Sequence, residues 1–302
     1  MSVAQTILPV FKSDDFAVVL GLKSSSDPYR NLPEGRELER HNRLLTYLRR
    51  NALEPEPQQD VVWSRFCALY LPATIDRLLN LPVPTDATNA DERELLLDFT
   101  AHNPWHEMLV ALQHIPYLAK YLRSSSPIAA AGKRLPQVLA DRLAGVSIRW
   151  ENKMTTITHG EAPRQYYIAA AGNAVQLLST LCTNFINETD RDRVVSHETR
   201  QKLLPILTVW SHRYTGQFLG DVSLRMIAYM SKATKLDEEF NKVRKLYKNW
   251  DVCGLPSCSI RRNLKVCGKC QTVRYCSSDH QRKDWSANGG SFHKEFCHKT
   301  EY

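Results

Sequence analysis

The sequence predicts a mainly α fold, an irregular helical bundle or an armadillo-like α-solenoid, followed by a small cysteine-rich finger. Apolar residues recur at helical spacing through residues 34–250, and no segment has the pattern of a run of alternating strands. Six of the eight cysteines lie in the last fifty residues, beyond this helical pattern. We therefore expect a poorly ordered segment at 1–33, an all-helical domain at 34–250 and a finger at 251–302.

Nine segments carry the helical pattern, and the clearest is Pro104–Arg123. Within it Trp105, Met108 and Leu109 begin a stripe that recurs at threes and fours, which is typical of a core-facing helix. The pattern nearest to a strand is Met154–Thr158. The predicted helices are Glu34–Asn51, Gln59–Leu81, Asp91–Thr100, Pro104–Arg123, Pro136–Trp150, Tyr166–Ile186, Ser196–Tyr214, Asp221–Ser231 and Leu236–Trp250. The sequence shows no repeat period of thirty to fifty residues, so we expect an irregular stack.

The compartment follows from the N-terminus and the overall hydropathy. Met1–Val10 has no basic region, apolar stretch or cleavage pattern of a secretory signal, and no stretch approaches eighteen consecutive apolar residues. We expect an intracellular protein, in the nucleus or the cytoplasm, without membrane association. Cys67 and Cys182 lie in apolar helical segments and are predicted to be small core residues. His102 and His106 are predicted to be packing or surface residues.

Eight candidate metal ligands form four close pairs near the C-terminus. A structural zinc ion takes four Cys or His ligands in a tetrahedron, so eight ligands predict two zinc ions. Close spacing within each pair lets one short turn present both side chains to the same ion. The pairs are Cys253 and Cys258, Cys267 and Cys270, Cys276 and His280, and His293 and Cys297. Because the protein fills every coordination position, we expect structural rather than catalytic ions.

The residues around these ligands resemble a MYND-type zinc finger. The resemblance is carried by Cys253-Gly-Leu-Pro-Ser-Cys258, by Leu264-Lys-Val-Cys267-Gly-Lys-Cys270, by Val273-Arg-Tyr-Cys276-Ser-Ser-Asp-His280, by the Gln281-x-x-Asp-Trp285 segment and by His293-Lys-Glu-Phe-Cys297. It covers residues 253–297 only. His280 stands where the family most often has cysteine, and the spacer between Trp285 and His293 is longer than the common form.

The resemblance implies a cross-braced arrangement of the two zinc sites. One ion would take Cys253, Cys258, Cys276 and His280, and the other would take Cys267, Cys270, His293 and Cys297. Each site would then carry a formal charge of −1, from three thiolates and one divalent ion. A segment with so few large apolar residues gains its folding free energy from the metal, on the order of 10 kcal/mol or more per ion.

The family also implies a shallow peptide-binding groove beside the metal sites. In MYND fingers a Gln and a Trp, next to a short strand, receive proline-containing peptides. On this chain these residues are Gln281 and Trp285, with the strand Thr272–Tyr275 and its Tyr275. Alternatively, Trp285 packs in the small core of the finger itself and does not line the groove. Gln281 has no evident role in such a core, which makes it the cleaner indicator.

The net charge of +8 raises the question of nucleic acid. Residues 251–302 hold nine Lys or Arg and five Asp or Glu, and zinc with six thiolates lowers the resulting +4 to +2. The sequence has no recognition helix beside the basic strip, and we do not expect nucleic-acid binding. The strip consists of Arg261, Arg262, Lys265, Lys269 and Arg274.

These observations predict a non-enzymatic adaptor that recruits proline-containing partners, in transcriptional or ubiquitin-pathway regulation. No phosphate-binding loop, dinucleotide fingerprint or nucleophile elbow is present in the sequence. Two alternatives stay open: a nucleic-acid-associated regulator that uses the basic strip, and a non-catalytic ubiquitin-ligase component. The sequence does not specify an oligomeric state.

Overall fold

A computed structural model of the chain describes residues 11–82, 98–185, 194–231, 252–286 and 293–302. Eleven α-helices and one two-stranded sheet lie within these ranges, which confirms the predicted mainly α class. The helices are α1 Ser13–Val19, α2 Glu37–Asn51, α3 Glu56–Leu79, α4 Pro104–Leu112, α5 Pro116–Arg123, α6 Ala130–Thr156, α7 Ala162–Phe185, α8 His197–Arg213, α9 Phe218–Met230, α10 Ser278–Ser286 and α11 His293–Phe296; the strands are β1 Lys265–Val266 and β2 Arg274–Tyr275. The predicted helix Leu236–Trp250 and most of Asp91–Thr100 lie outside the described residues.

Helix α1 differs from the poorly ordered segment expected at 1–33. It is helical and buried, and its Phe16 ring meets the Trp63 ring of α3 at a centroid distance of 4.7 Å. The Ser13 hydroxyl donates a hydrogen bond to the carbonyl of Val62 at 2.8 Å. A seven-residue helix is too short to be stable alone, so its stability comes from tertiary packing that its own sequence does not reveal.

The predicted helix Pro104–Arg123 is two helices, α4 and α5, which are separated by residues 113–115, directly before Pro116. Proline lacks the N–H that an interior helical residue donates, and it disfavours helical geometry at the residue before it. Ile115 accordingly has an extended conformation, with φ −77° and ψ 127°. At the start of α4, the Asn103 side chain accepts a hydrogen bond from the His106 N–H at 3.0 Å.

Helix α6 is longer at both ends than the predicted Pro136–Trp150. It contains Pro136 in its second turn and continues to Thr156, so the strand-like stretch Met154–Thr158 is largely the last helical turn. The Thr156 hydroxyl donates to the Asn152 carbonyl at 2.8 Å, which satisfies this β-branched residue within the helix.

In the described part of the chain, the helices pack around a single apolar core. Helices α6, α7, α9 and α8 contact one another in a closed ring, as in a bundle, and α3 packs against α1, α4, α5, α6 and α11. Cys67 and Cys182 are fully buried in this core, as predicted. Among the described helices, none has the length and apolar character needed to cross a membrane.

Candidate functional site

The first ligand cluster joins a loop, the end of a strand and a helix. Cys253 and Cys258 lie in the loop before β1, Cys276 directly follows β2, and His280 lies in the first turn of α10. The Cys258 and Cys276 sulfurs are 3.8 Å apart, and His280 Nδ1 is 3.5 Å from the Cys253 sulfur. The Cys253 N–H donates to the Ile260 carbonyl at 2.9 Å, which closes the loop that carries the first pair.

The second cluster is more deeply buried. Cys267 directly follows β1, Cys270 lies in the next turn, and α11 presents His293 with Cys297 just after it. The Cys267 and Cys297 sulfurs are 3.8 Å apart, and His293 Nε2 lies 3.7 Å from the Cys270 sulfur. The Thr272 N–H donates to the Cys270 sulfur at 3.4 Å, so the backbone of the turn supports the ligand.

These separations fit zinc tetrahedra. With zinc–sulfur bonds of roughly 2.3 Å and zinc–nitrogen bonds of roughly 2.0 Å, the edges of a tetrahedron are about 3.8 Å between sulfurs and about 3.5 Å between sulfur and nitrogen. The sulfur–sulfur separations in both clusters match the first value, and most sulfur–nitrogen separations lie close to the second. The grouping is the interleaved one, and the two cross-braced clusters fit two zinc ions.

The thiols of the first cluster interact strongly with one another. Burial opposes ionisation of Cys253, but hydrogen bonds from the backbone around Cys276 and Leu255 outweigh it and lower its pKa to about 7. Desolvation and the Cys253 and Cys258 sulfurs raise the pKa of Cys276 to about 11. Neighbouring thiolates repel one another, so a divalent cation is the partner that lets all of them ionise together.

A small hairpin and a helix hold the two clusters together. Strands β1 and β2 pair antiparallel, and the Gly254 N–H donates to the Arg274 carbonyl at 2.7 Å along the far edge of β2. A side chain at Gly254 would collide with Val273, because a Cβ there would lie 2.3 Å from a Val273 methyl carbon. The position therefore requires glycine, a signal that the spacing of the ligands does not contain.

Of the three predicted groove residues, Trp285 is the most accessible. Its side chain lies on α10 and is 37% exposed. One side of the indole faces the zinc ligand His293 at a centroid distance of 5.8 Å, and the ammonium of Lys269 lies 5.9 Å from the ring centre. The ring is thus held in place by the finger while part of it remains available to a partner.

Gln281 has a structural role that the sequence did not suggest. Its amide Nε2 donates to the Cys267 sulfur at 3.6 Å, so it supports a ligand of the second cluster. It also lines a surface depression of about 460 Å³. The depression is lined by Ser278, Gln281, Arg282, Trp285 and Ser286.

Tyr275 does not belong to the exposed groove, contrary to the sequence prediction. Its side chain is buried, and its hydroxyl donates to the Asp284 carboxylate at 2.5 Å. Burial, followed by this hydrogen bond, raises the pKa of Tyr275 well above its usual range. Tyr275 therefore occupies the small core of the finger, the place that the sequence offered as the alternative for Trp285. Its hydrogen bond to Asp284 connects β2 to α10.

The finger docks on the helical domain through α5. The Tyr117 hydroxyl donates to the Phe296 carbonyl at 2.7 Å and accepts from the His298 N–H at 2.7 Å. The Lys120 ammonium donates to the carbonyl of the zinc ligand Cys270 at 3.1 Å. Sequence reasoning missed these residues, because partners that are 150 or more positions apart leave no local pattern.

A C-terminal tyrosine completes this contact. The hydroxyl of Tyr302 donates to the Cys67 carbonyl of α3 at 2.9 Å, and its ring packs edge-on against Tyr121 at 5.0 Å. Several finger residues, including Tyr275 and Tyr302, belong to the same apolar cluster as the helices. The finger and the helical region therefore share one core.

Comparison with known families addresses the finger alone. No solved structure matches the chain. The family model described as the MYND finger matches residues 251–297, a range that includes all eight ligands of the two clusters. The chain therefore carries a MYND finger at residues 251–297, a zinc-binding module of a family that mediates protein–protein interaction.

Proposed function

We propose that this chain is a non-catalytic adaptor whose finger binds proline-containing peptides at the surface of α10. The observation that supports this most is the Trp285 ring, which is held by His293 and Lys269 yet remains more than a third exposed. Such a ring can bury apolar area on binding with little loss of side-chain freedom. The adjacent depression gives a peptide a place to lie.

The chemistry of the depression favours a proline-containing ligand. Proline-rich peptides are already extended before they bind, so they lose little conformational entropy, and they dock well on exposed aromatic rings. A single surface depression of about 460 Å³ is expected to give micromolar affinity, which corresponds to a binding free energy near −8 kcal/mol at about 1 μM.

The finger, as we propose it, binds a partner and does not catalyse a reaction. Each zinc ion would have four protein ligands and no position for an activated water or a substrate. The ions then act on binding only through the fold, by fixing α10 against the β1–β2 hairpin and α11.

The test is peptide binding by the full-length chain, measured as fluorescence anisotropy with a panel of labelled proline-containing peptides. Removing a Trp anchor costs about 2 kcal/mol or more, so Trp285→Ala should weaken binding at least roughly thirtyfold. Ile148→Ala, at an exposed position on α6, is the matched control and should bind like the wild type. Unchanged affinity in Trp285→Ala, with zinc content intact, would contradict the proposal.

A salt titration separates the peptide proposal from nucleic-acid binding by the basic strip. Peptide binding should change little with salt, whereas duplex DNA affinity falls with a log–log slope of about −0.9 per phosphate contact. The Lys269 ammonium lies 5.9 Å from the centre of the Trp285 ring, so one member of the basic strip would also border the proposed peptide surface. Steep salt-dependent DNA binding without peptide binding would support the alternative regulator.

A further inference from the structure

A third group of metal-ligating side chains lies in the helical domain, away from the finger's ligand set. It consists of His41 from α2, His102 just before α4, and Glu107 in the first turn of α4. All three side chains are buried, and their ligand atoms lie within 4.8 Å of one another. Two separate segments of the chain therefore direct imidazole and carboxylate groups to one point in the interior.

The hydrogen bonding of this group is incomplete without a further partner. His102 Nε2 faces the Glu107 carboxylate, but His41 Nε2 is buried and has no hydrogen-bond partner within the described ranges. Among the same residues, both ring nitrogens of the buried His106 are also without a partner. A buried polar group normally has a partner, and an ion pair of His102 with Glu107 would supply none for His41.

The orientation of His102 is set from its other side. Its Nδ1 lies 3.1 Å from the hydroxyl of Tyr166 on α7, which fixes the ring so that Nε2 points toward Glu107. Histidines that bind metals are commonly held in this way, by a polar group on the nitrogen that does not touch the ion. The His41 and His102 rings meet at 5.1 Å between centroids, which brings the two imidazoles together.

We propose that His41, His102 and Glu107 bind a third metal ion, a divalent transition metal of which zinc best suits the donors. Two imidazoles and one carboxylate are an established zinc ligand set, and tetrahedral bonds of roughly 2.0 Å place such donors about 3.3 Å apart. The observed group is compact enough to reach this geometry through small side-chain movements. The fourth position takes a water molecule, and the ion links α2 to the start of α4.

The test is the metal content of the full-length, tag-free chain after dialysis against metal-free buffer, measured by mass spectrometry for all first-row metals. We expect three ions per chain in the wild type, and two in both His41→Ala and Glu107→Gln. The matched control is His114→Ala, at an exposed histidine beside Asp60, which should keep three. Two ions in the wild type, or a third ion kept by both variants, would overturn the proposal.

Cobalt substitution of the wild-type chain gives a second reading that does not depend on any variant folding. Cobalt in the two finger sites should show intense thiolate charge-transfer absorption, whereas cobalt bound by His41, His102 and Glu107 should add visible bands without it. Tyr166→Phe should keep the third site but lower its metal affinity roughly tenfold or more, because His102 Nδ1 loses its hydroxyl partner. Saturation of the wild type at two cobalt ions, both with thiolate bands, would overturn the proposal.

Discussion

Gln281 shows how one side chain can serve both the fold and the proposed binding surface. Its amide donates to the Cys267 sulfur, while the residue also lines the depression beside Trp285. A donor to a zinc-bound thiolate reduces the charge on sulfur and fixes the ligand. A loss of peptide binding on mutation of Gln281 would therefore report on the metal site as well as on the contact.

Gln281→Ala is expected to lower the zinc affinity of the second site roughly tenfold or more, because the Cys267 thiolate loses its amide donor. The first site should be unaffected, since the Gln281 amide donates to a ligand of the second cluster. Chelator competition monitored for each site separately measures the difference. Arg282→Ala, the neighbouring position on α10, is the control and should leave both affinities unchanged. Equal weakening of both sites would contradict the assigned role.

Much of the metal site could be predicted from the sequence because its information is local. Ligands of one pair lie three to five positions apart, so their spacing alone indicates a shared ion. The Gln281 contact depends on where Cys267 lies, and the burial of Tyr275 depends on Asp284 and on the packing of the hairpin. Neither can be predicted from spacing, which is why the sequence indicates no core role for Gln281 and assigns Tyr275 to the peptide-binding groove.

Helix boundaries could be predicted only where local chemistry decides them. Pro116 is the first residue of α5, whereas Pro136 lies inside α6, although both are prolines in a helical pattern. A proline inside a helix removes one backbone hydrogen bond, and the helix continues only where tertiary packing offsets that loss. The docking of the finger on α5 is likewise a tertiary property.

At the scale of elements, Tyr117→Phe tests the contact between α5 and the finger. The substitution leaves the half-buried His298 N–H and Phe296 carbonyl without this partner, and an unpaired group costs about 1–3 kcal/mol when it is fully buried and less when water reaches it. We expect the free energy of unfolding to fall by about 2 kcal/mol in urea denaturation. Tyr29→Phe, at a position that is 89% exposed, should change it little. Equal stability of the two variants would show that the contact does not stabilise the fold.

At the scale of the whole molecule, the shared core couples the finger to the helices. Loss of the second zinc ion in Cys267→Ser should also free α5 and α3 from their contacts with the finger. Removing these contacts should lower the helical melting temperature by roughly 5 °C or more. Circular dichroism of the full-length chain measures this, with Ser257→Ala as the control. An unchanged helical transition would indicate that the finger folds as a separate unit.

The interleaved ligand assignment is the central claim, and cadmium NMR of the full-length chain tests it most directly. Scalar couplings connect each cadmium-113 nucleus to the protons of its own cysteines and histidines. One resonance should couple to the first cluster and a second to the other. The first cluster is Cys253, Cys258, Cys276 and His280, and the second is Cys267, Cys270, His293 and Cys297. A single cadmium coupled to both Cys258 and Cys267 would contradict the assignment.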